Sequence, residues 1–178
     1  VKKCVADIAS NFTTNRMLID YEERFYNKLA QRKKLMLANN YMMAREIAAW
    51  KRKVSAAWDN VAILDVKRAE IESEAMYVGK KYHFELTIDL AGLQKEDIGA
   101  ELVVATQIEA GQAANVVETR RLEIVASDDK SVTLALDYAP EHTGMFDVAL
   151  RVFPVNDNLE HRMDFALVKW ASFCCDYS

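Results

Sequence analysis

The sequence predicts an α+β protein in which a helical segment precedes an all-β domain. Hydrophobic residues recur at three- and four-residue steps before residue 60 and at alternate positions in several stretches after it. These are the periods of an amphipathic helix and of a half-buried strand. Charge changes at the same point: residues 1–60 contain 12 Lys and Arg against 6 Asp and Glu, and residues 61–178 contain the remaining 11 and 21. We therefore divide the chain into residues 1–60 and 61–178.

The first part is predicted to form a helical hairpin, or two helices joined by a bend. Residues 1–78 contain neither proline nor glycine, and Thr13 or Thr14 is expected to cap the first helix. Asn39-Asn40 interrupts the pattern and is expected to begin a second helix. The apolar positions that recur at helical spacing are Leu18, Tyr21, Phe25 and Leu29 in the first helix, and Ala44, Ile47, Ala48, Val54 and Trp58 in the second.

The second part is predicted to be a β-sandwich. Apolar residues alternate clearly over 82–90, 131–138 and 144–153, and less clearly over 61–67, 99–106, 120–126 and 162–170. About seven short strands in some 120 residues, with one apolar face each, are typical of an immunoglobulin-like sandwich. Residues 107–119 are expected to form a long loop.

No catalytic, cofactor-binding or metal-binding residue is predicted in this chain. The five glycines build no phosphate-binding loop, and His83, His142 and His161 are too scattered for a zinc site. The adjacent acids Glu96 and Asp97 are best explained as a surface turn. Cysteines occur only near the two ends, at Cys4, Cys174 and Cys175, which favours a cytoplasmic location over an oxidising one.

The second helix concentrates Trp50, Trp58 and the basic triplet 51–53. Three consecutive bases spread around a helix and cannot form one nucleic-acid-binding face, and the acidic sandwich would repel phosphates. Alanines make the apolar face too weak for a membrane-surface helix, and no apolar run reaches the roughly 18 residues of a membrane span. We therefore predict no nucleic-acid or membrane partner. Two helices in 60 residues cannot cover their own apolar faces, so we expect the sandwich or absent protein to cover them.

Several strings resemble the C-terminal end of bacterial α-glucan (glycogen-type) phosphorylases. They are "FTTNRMLIDYEERFYNKLAQR" at 12–32, "ANNYMMAREIAAWKRKVSAAWDNV" at 38–61, "DLAGLQKEDIGAELV" at 89–103, "GMFDVALRVFPVNDNL" at 144–159 and "FALVKWA" at 165–171. The resemblance is strongest over residues 12–60. It implies that residues 1–60 end a catalytic domain and that residues 61–178 form an accessory sandwich. The chain begins at Val1, which also favours a fragment.

The resemblance implies a role in a larger enzyme. Such enzymes are retaining glycosyltransferases of the two-Rossmann-lobe type. Their pyridoxal phosphate, bound as a Schiff base, assists phosphorolysis of α-1,4-glucan to glucose 1-phosphate. The cofactor lysine and the substrate-binding residues would lie upstream of this chain, whose partners would be the upstream catalytic domain and α-glucan. The resemblance further implies an inter-domain interface formed by Arg45, Trp50, Lys51, Val54 and Trp58.

Two alternatives remain open at the level of sequence. The chain is also interpretable as a free-standing β-sandwich module that binds carbohydrate or protein. Exposed aromatic residues would favour sugar binding, whereas Tyr82, Phe84, Tyr138 and Phe146 fall on inward-facing strand positions and are expected in the core. The apolar helices could instead pack against a second copy to give a homodimer.

Overall fold

The computed structural model describes residues 14–68, 76–106 and 115–171, apart from the side chain of Asn15. It divides into two compact units, residues 1–49 and 50–178. Thr13, one of the two predicted cap residues, lies outside the described residues, as do Cys4, Cys174 and Cys175. The predicted domain boundary at residue 60 stays a prediction.

The helical part contains one long, interrupted helix. Helix α1 spans Thr14–Tyr21, a π-helical segment spans Glu22–Tyr26, and helix α2 spans Asn27–Trp58. Inside α2, Asn39, Asn40 and Tyr41 have φ angles of 50°, 56° and 62°, which lie in the left-handed region. Asparagine tolerates this region because its short polar side chain can hydrogen-bond locally. The predicted interruption at Asn39-Asn40 is confirmed.

The second unit contains eight antiparallel strands in two four-stranded sheets. The first sheet has the order β1-β2-β6-β5 and the second has the order β4-β3-β7-β8. Short 3-10 helices span Lys95–Asp97 and Arg162–Phe165. The strands are β1 Ala62–Arg68, β2 Tyr82–Asp89, β3 Ile98–Thr106, β4 Val116–Arg121, β5 Glu123–Ser127, β6 Ser131–Tyr138, β7 Phe146–Pro154 and β8 Lys169–Ala171.

This strand order is that of an immunoglobulin-like sandwich. In constant-type domains the first, second, fifth and fourth strands form one sheet, and the third, sixth and seventh form the other. The same order results here when β4 is treated as an additional edge strand beside β3. The α+β prediction, with a helical segment before a sandwich, is confirmed.

The core is formed by the inward faces of the two sheets. In β2 the alternation is complete, because Tyr82, Phe84, Leu86 and Ile88 are buried while the residues between them are more exposed. Since strand side chains alternate between faces, one register places all four inside. The core also includes Val54 and Trp58 from the end of α2, which are 0% and 6% exposed, together with Val61.

Two weakly predicted strands differ from the structure. The stretch 120–126 is two strands in different sheets, because β4 ends at Arg121 and β5 begins at Glu123. Between them Leu122 is 2% exposed, and its amide donates to the carbonyl of Ala100. The stretch 162–170 is a 3-10 helix followed by the three-residue strand β8. The predicted loop ends earlier than expected, since β4 begins at Val116; residues 107–114 lie outside the described residues.

The central strand β3 is covered on both faces. On its outer face Glu101 is buried and accepts hydrogen bonds from Arg151 and Arg162. The Arg151 guanidinium also lies 5.7 Å from the ring centre of Trp170 on β8. This arrangement compensates the buried carboxylate with two cations, as burial of a charge requires.

Replacement of Trp58 should lower the denaturant concentration at which the second unit unfolds. We expect Trp58→Ala to cost about 3–5 kcal/mol because it leaves a cavity in the core. Trp170→Ala is the matched control: Trp170 is 52% exposed, so its loss should cost less than about 1 kcal/mol. Urea unfolding followed by tryptophan fluorescence measures both, and equal costs for the two variants would contradict this account of the core.

Candidate functional site

His83 and His161 make contacts within the protein. His83 is exposed, with Nδ1 2.7 Å from Asp137 Oδ1, and His161 Nδ1 accepts a hydrogen bond from the Met163 amide at the start of a 3-10 helix. Within residues 14–68, 76–106 and 115–171, no group of three or more His, Cys, Asp or Glu side chains is placed to hold a metal ion. The site that stands out is therefore the junction between helix α2 and the sandwich, which we call the helix–sandwich junction.

Asp97 is the centre of the helix–sandwich junction. Its Oδ1 accepts a hydrogen bond of 2.7 Å from Trp50 Nε1, and its Oδ2 accepts one of 2.9 Å from Lys53 Nζ. The Gln94 amide also donates to Oδ2, at 3.0 Å, which closes the 3-10 turn before β3. The carboxylate thus binds two side chains from one face of α2 and the turn that presents it.

The environment of Asp97 favours the charged carboxylate. Burial raises its pKa, but hydrogen bonds from Lys53, the Gln94 amide and Trp50 outweigh burial and leave the pKa below its ordinary value of 3.8. All of these donors belong to the protein. The arrangement therefore fixes the helix to the sandwich and leaves the carboxylate unsuited to proton transfer with a substrate.

A second set of contacts connects α2 with the 3-10 helix Arg162–Phe165. The rings of Trp50 and Phe165 meet edge to face with centres 5.4 Å apart. Lys51 Nζ donates to the Asp164 carbonyl at 2.7 Å and lies 5.5 Å from the centre of the Phe165 ring. Edge-to-face aromatic pairs and cations over ring faces each contribute roughly 0.5–1.5 kcal/mol.

A cation holds the turn between α2 and β1. Lys169 Nζ donates to the carbonyl of Val61 at 2.5 Å and to that of Asp59 at 3.2 Å. Both carbonyls lie after Trp58, the last residue of α2, and before Ala62, the first residue of β1, so the ammonium group ties this turn to β8. Together with the burial of Val54 and Trp58, this contact fixes the point at which the helix passes into β1.

Four of the five residues predicted for an inter-domain interface meet the sandwich. Val54 and Trp58 lie in its core, while Trp50 and Lys51 contact the turns described above. Lys51 meets the backbone carbonyl of Asp164. Arg45 is exposed and belongs to the other compact unit. Their role as an interface between separate domains stays a prediction.

The sequence alone does not predict the central residue of the junction. Glu96 and Asp97 are predicted in a surface turn; Glu96 is exposed, whereas Asp97 is partly buried under α2. The spacing of Asp97 three residues after Gln94, directly before an apolar strand, was the only local signal of a structured turn. It did not reveal the partners of Asp97, which lie more than 40 positions away.

Replacement of Asp97 should weaken the unit in a pH-dependent way. We expect Asp97→Asn to cost about 1–3 kcal/mol at neutral pH because Lys53 and Trp50 lose a charged acceptor. The pKa of Asp97 is lowered in the folded state, so its stabilising effect is present above the unfolded pKa and declines as the pH falls through the folded pKa. Urea titrations at pH 7 and pH 3 test this.

The control for this variant is Asp129→Asn, which changes an exposed carboxylate outside the junction. It should change stability by less than about 0.5 kcal/mol at either pH. A stability difference between wild type and Asp97→Asn that stayed the same at pH 3 and pH 7 would contradict a role for the charge.

None of the helices in the described part of the chain is long and apolar enough to cross a membrane.

Comparisons with known proteins agree with the fold. The family model described as "Glycogen phosphorylase C-terminal domain" matches residues 58–172. The chain is 28% identical to the maltodextrin phosphorylase of Thermococcus litoralis over 97% of its own length and 20% of the relative's. It is 25% identical to the glycogen phosphorylase of Mycobacterium tuberculosis over 86% of its length and 15% of the relative's. It thus spans a fifth or less of these relatives. The chain belongs to the glycogen phosphorylase C-terminal domain family.

Proposed function

We propose that this chain is the non-catalytic C-terminal part of an α-glucan phosphorylase. In the full-length enzyme, α-1,4-glucan would be cleaved by phosphate to give glucose 1-phosphate. The observation that supports this proposal is the relative length of the proteins: the matches to relatives that are named phosphorylases cover 86–97% of this chain but only 15–20% of each relative. The catalytic domain of such an enzyme would then be encoded upstream in the same polypeptide.

In this proposal the chain attaches an accessory sandwich to the catalytic domain. Residues 1–60 would end the catalytic domain, residues 61–178 would form the sandwich, and the junction around Asp97 would be the inter-domain interface. Arg45, Trp50, Lys51, Val54 and Trp58 would belong to that interface, with Arg45 facing the catalytic domain. The directional contacts of Trp50 and Lys53 with one carboxylate would fix the angle at which the helix meets the sandwich.

An exposed apolar stripe that runs from α1 through the π-helical segment into the start of α2 supports the presence of an upstream partner. Leu18, Tyr21, Phe25 and Leu29 are each between 51% and 60% exposed. A contiguous apolar face of this kind is unusual for a free surface and is typical of an interface. We propose that the upstream catalytic domain covers it. A second copy of the chain is the competing occupant, and the measurements below separate the two.

The residues described here do not fit a pyridoxal phosphate site. Every lysine in the described ranges is exposed except Lys51 and Lys169. These two donate to backbone carbonyls of Asp164, Asp59 and Val61, so neither is placed to form a Schiff base. We propose that the cofactor belongs to the upstream domain of a cytoplasmic enzyme.

The proposed activity is tested on the full-length protein that contains this chain. Incubation with maltodextrin and inorganic phosphate should release glucose 1-phosphate, measured by coupling to phosphoglucomutase and glucose 6-phosphate dehydrogenase. The reaction without phosphate is the control and should release none. Absence of phosphate-dependent product with both maltodextrin and glycogen would overturn the proposal.

Coverage of this apolar stripe by the catalytic domain is tested with one substitution, made in the full-length enzyme and in the 178-residue chain alone. Phe25→Asp should lower the melting temperature of the full-length enzyme by several degrees, because it would place a charge in a covered apolar face. In the 178-residue chain alone, where Phe25 is 55% exposed, it should change the melting temperature by about 1 degree or less. Glu22→Lys, on an exposed residue nearby, is the charge-changing control.

Equal shifts in the two proteins would contradict coverage by the catalytic domain. If the isolated chain sedimented as a dimer and Phe25→Asp made it monomeric without affecting the full-length enzyme, the second copy would be the occupant.

A further inference from the structure

The sandwich has an open cleft at the end opposite the helix–sandwich junction. The junction lies where β1 and β3 begin, whereas the cleft lies where β1, β3 and β6 end and β7 begins. Its volume is about 800 Å³, within the roughly 300–1,000 Å³ typical of small-ligand sites. None of its lining residues takes part in the contacts of the junction.

The cleft has an apolar floor and an aromatic rim. Phe84, Val104 and Tyr138 form part of its floor and are buried. On the rim Tyr77 is 63% exposed. An exposed tyrosine offers a rigid apolar face with a polar tip at low conformational cost, and such residues are enriched in binding sites.

The turn that carries Tyr77 is held in place by hydrogen bonds to the sandwich. The Tyr77 amide donates to the Tyr82 hydroxyl at 2.7 Å, and the Gly79 amide donates to the Pro140 carbonyl at 3.0 Å. Gly79 has a φ of 77°, which favours glycine in this turn. The backbone that carries Tyr77 is therefore held in place before any ligand arrives, which lowers the entropic cost of binding.

The polar groups of the cleft match a ligand that both donates and accepts hydrogen bonds. The exposed Asp147 carboxylate offers acceptors, and the exposed Thr143 hydroxyl both donates and accepts. Hydroxyl groups of a ligand can pair with both side chains. The Asp147 carboxylate also disfavours a phosphate or other anionic ligand.

One side of the cleft is fixed by a buried phenol. The Tyr138 hydroxyl donates to Glu118 Oε2 at 3.1 Å, and Arg120 donates to the other oxygen of the same carboxylate. Burial and the neighbouring Glu118 carboxylate raise the pKa of Tyr138 to about 12. The phenol thus keeps its proton at neutral pH and holds Glu118 against the floor.

We propose that this cleft binds a short stretch of α-1,4-glucan, with Tyr77 stacking on a sugar ring and Asp147 and Thr143 hydrogen-bonding to its hydroxyl groups. The mixed polarity, volume and aromatic rim point to a neutral polyhydroxy ligand; its identity as α-glucan rests on the proposed function. A second binding site on the accessory sandwich would retain a polymer near the catalytic domain and increase its effective concentration there.

Binding is tested by isothermal titration calorimetry of the 178-residue chain with maltoheptaose. We expect Tyr77→Ala to weaken binding about tenfold or more, since it removes a stacking surface. Asp147→Asn should weaken it about three- to tenfold while keeping the size of the side chain. Trp170→Ala removes an aromatic of similar exposure from the outer face of the other end of the unit and should leave binding unchanged.

Three results would overturn this assignment. They are absence of maltoheptaose binding by the wild-type chain, equal binding by wild type and Tyr77→Ala, and binding of cellohexaose as tight as that of maltoheptaose. Because Tyr77 and Asp147 are exposed, we expect both variants to fold and to melt at the same temperature as the wild-type chain. Measurement of the melting temperatures checks this.

Activity of the full-length protein distinguishes this inference from the proposed function. Tyr77→Ala should raise the KM for glycogen about threefold or more, because the variant alters retention of the polymer, whereas Trp170→Ala, outside the cleft, should leave KM and kcat unchanged. Phosphorolysis without glucan binding at the cleft would overturn the inference alone. Glucan binding at the cleft without phosphorolysis would overturn the proposed function alone.

Discussion

Insertion of Val54 and Trp58 into the sandwich core is the interaction on which the second unit depends. Burial of one tryptophan removes about 200 Å² from water, which stabilises the fold by at most about 5 kcal/mol. Burial alone has no preferred direction. The direction comes from Asp97, which binds Trp50 and Lys53 on the same helix, and from Lys169, which binds the turn that follows the helix. Apolar burial therefore supplies the energy, and a few charged contacts fix the orientation.

The two ends of the sandwich have different chemical characters. At the junction the charged groups Asp97, Lys51 and Lys169 are engaged by groups of the protein itself. At the opposite end, exposed side chains such as Tyr77 surround an open cleft. A fold of this class does not determine a function, so the argument for function must come from such sites. This contrast is the basis of our proposals that one end attaches the sandwich and that the other binds a ligand.

The predictable part of the fold follows from local periodicity. Alternation in β2 and β6 located both strands to within a residue, because each has one face in the core and a single register satisfies it. The break at Asn39-Asn40 was predictable for a similar reason, since two adjacent asparagines favour a departure from the helix. The corner at Leu122 was not predictable, because an apolar residue between two strands has the same local pattern as one strand that continues.

By itself the sequence determined the class of the fold, the position of the strands with a strict period of two, and the absence of any familiar catalytic motif. Only the tertiary structure decided the partners of Asp97, the sheet to which each half of 116–127 belongs, and the cleft beneath Tyr77. Trp50 and Asp97 are 47 positions apart, and Lys169 and Val61 are 108 apart. Periodicity records which face of a segment avoids water, but contacts between distant segments depend on how those faces pack together.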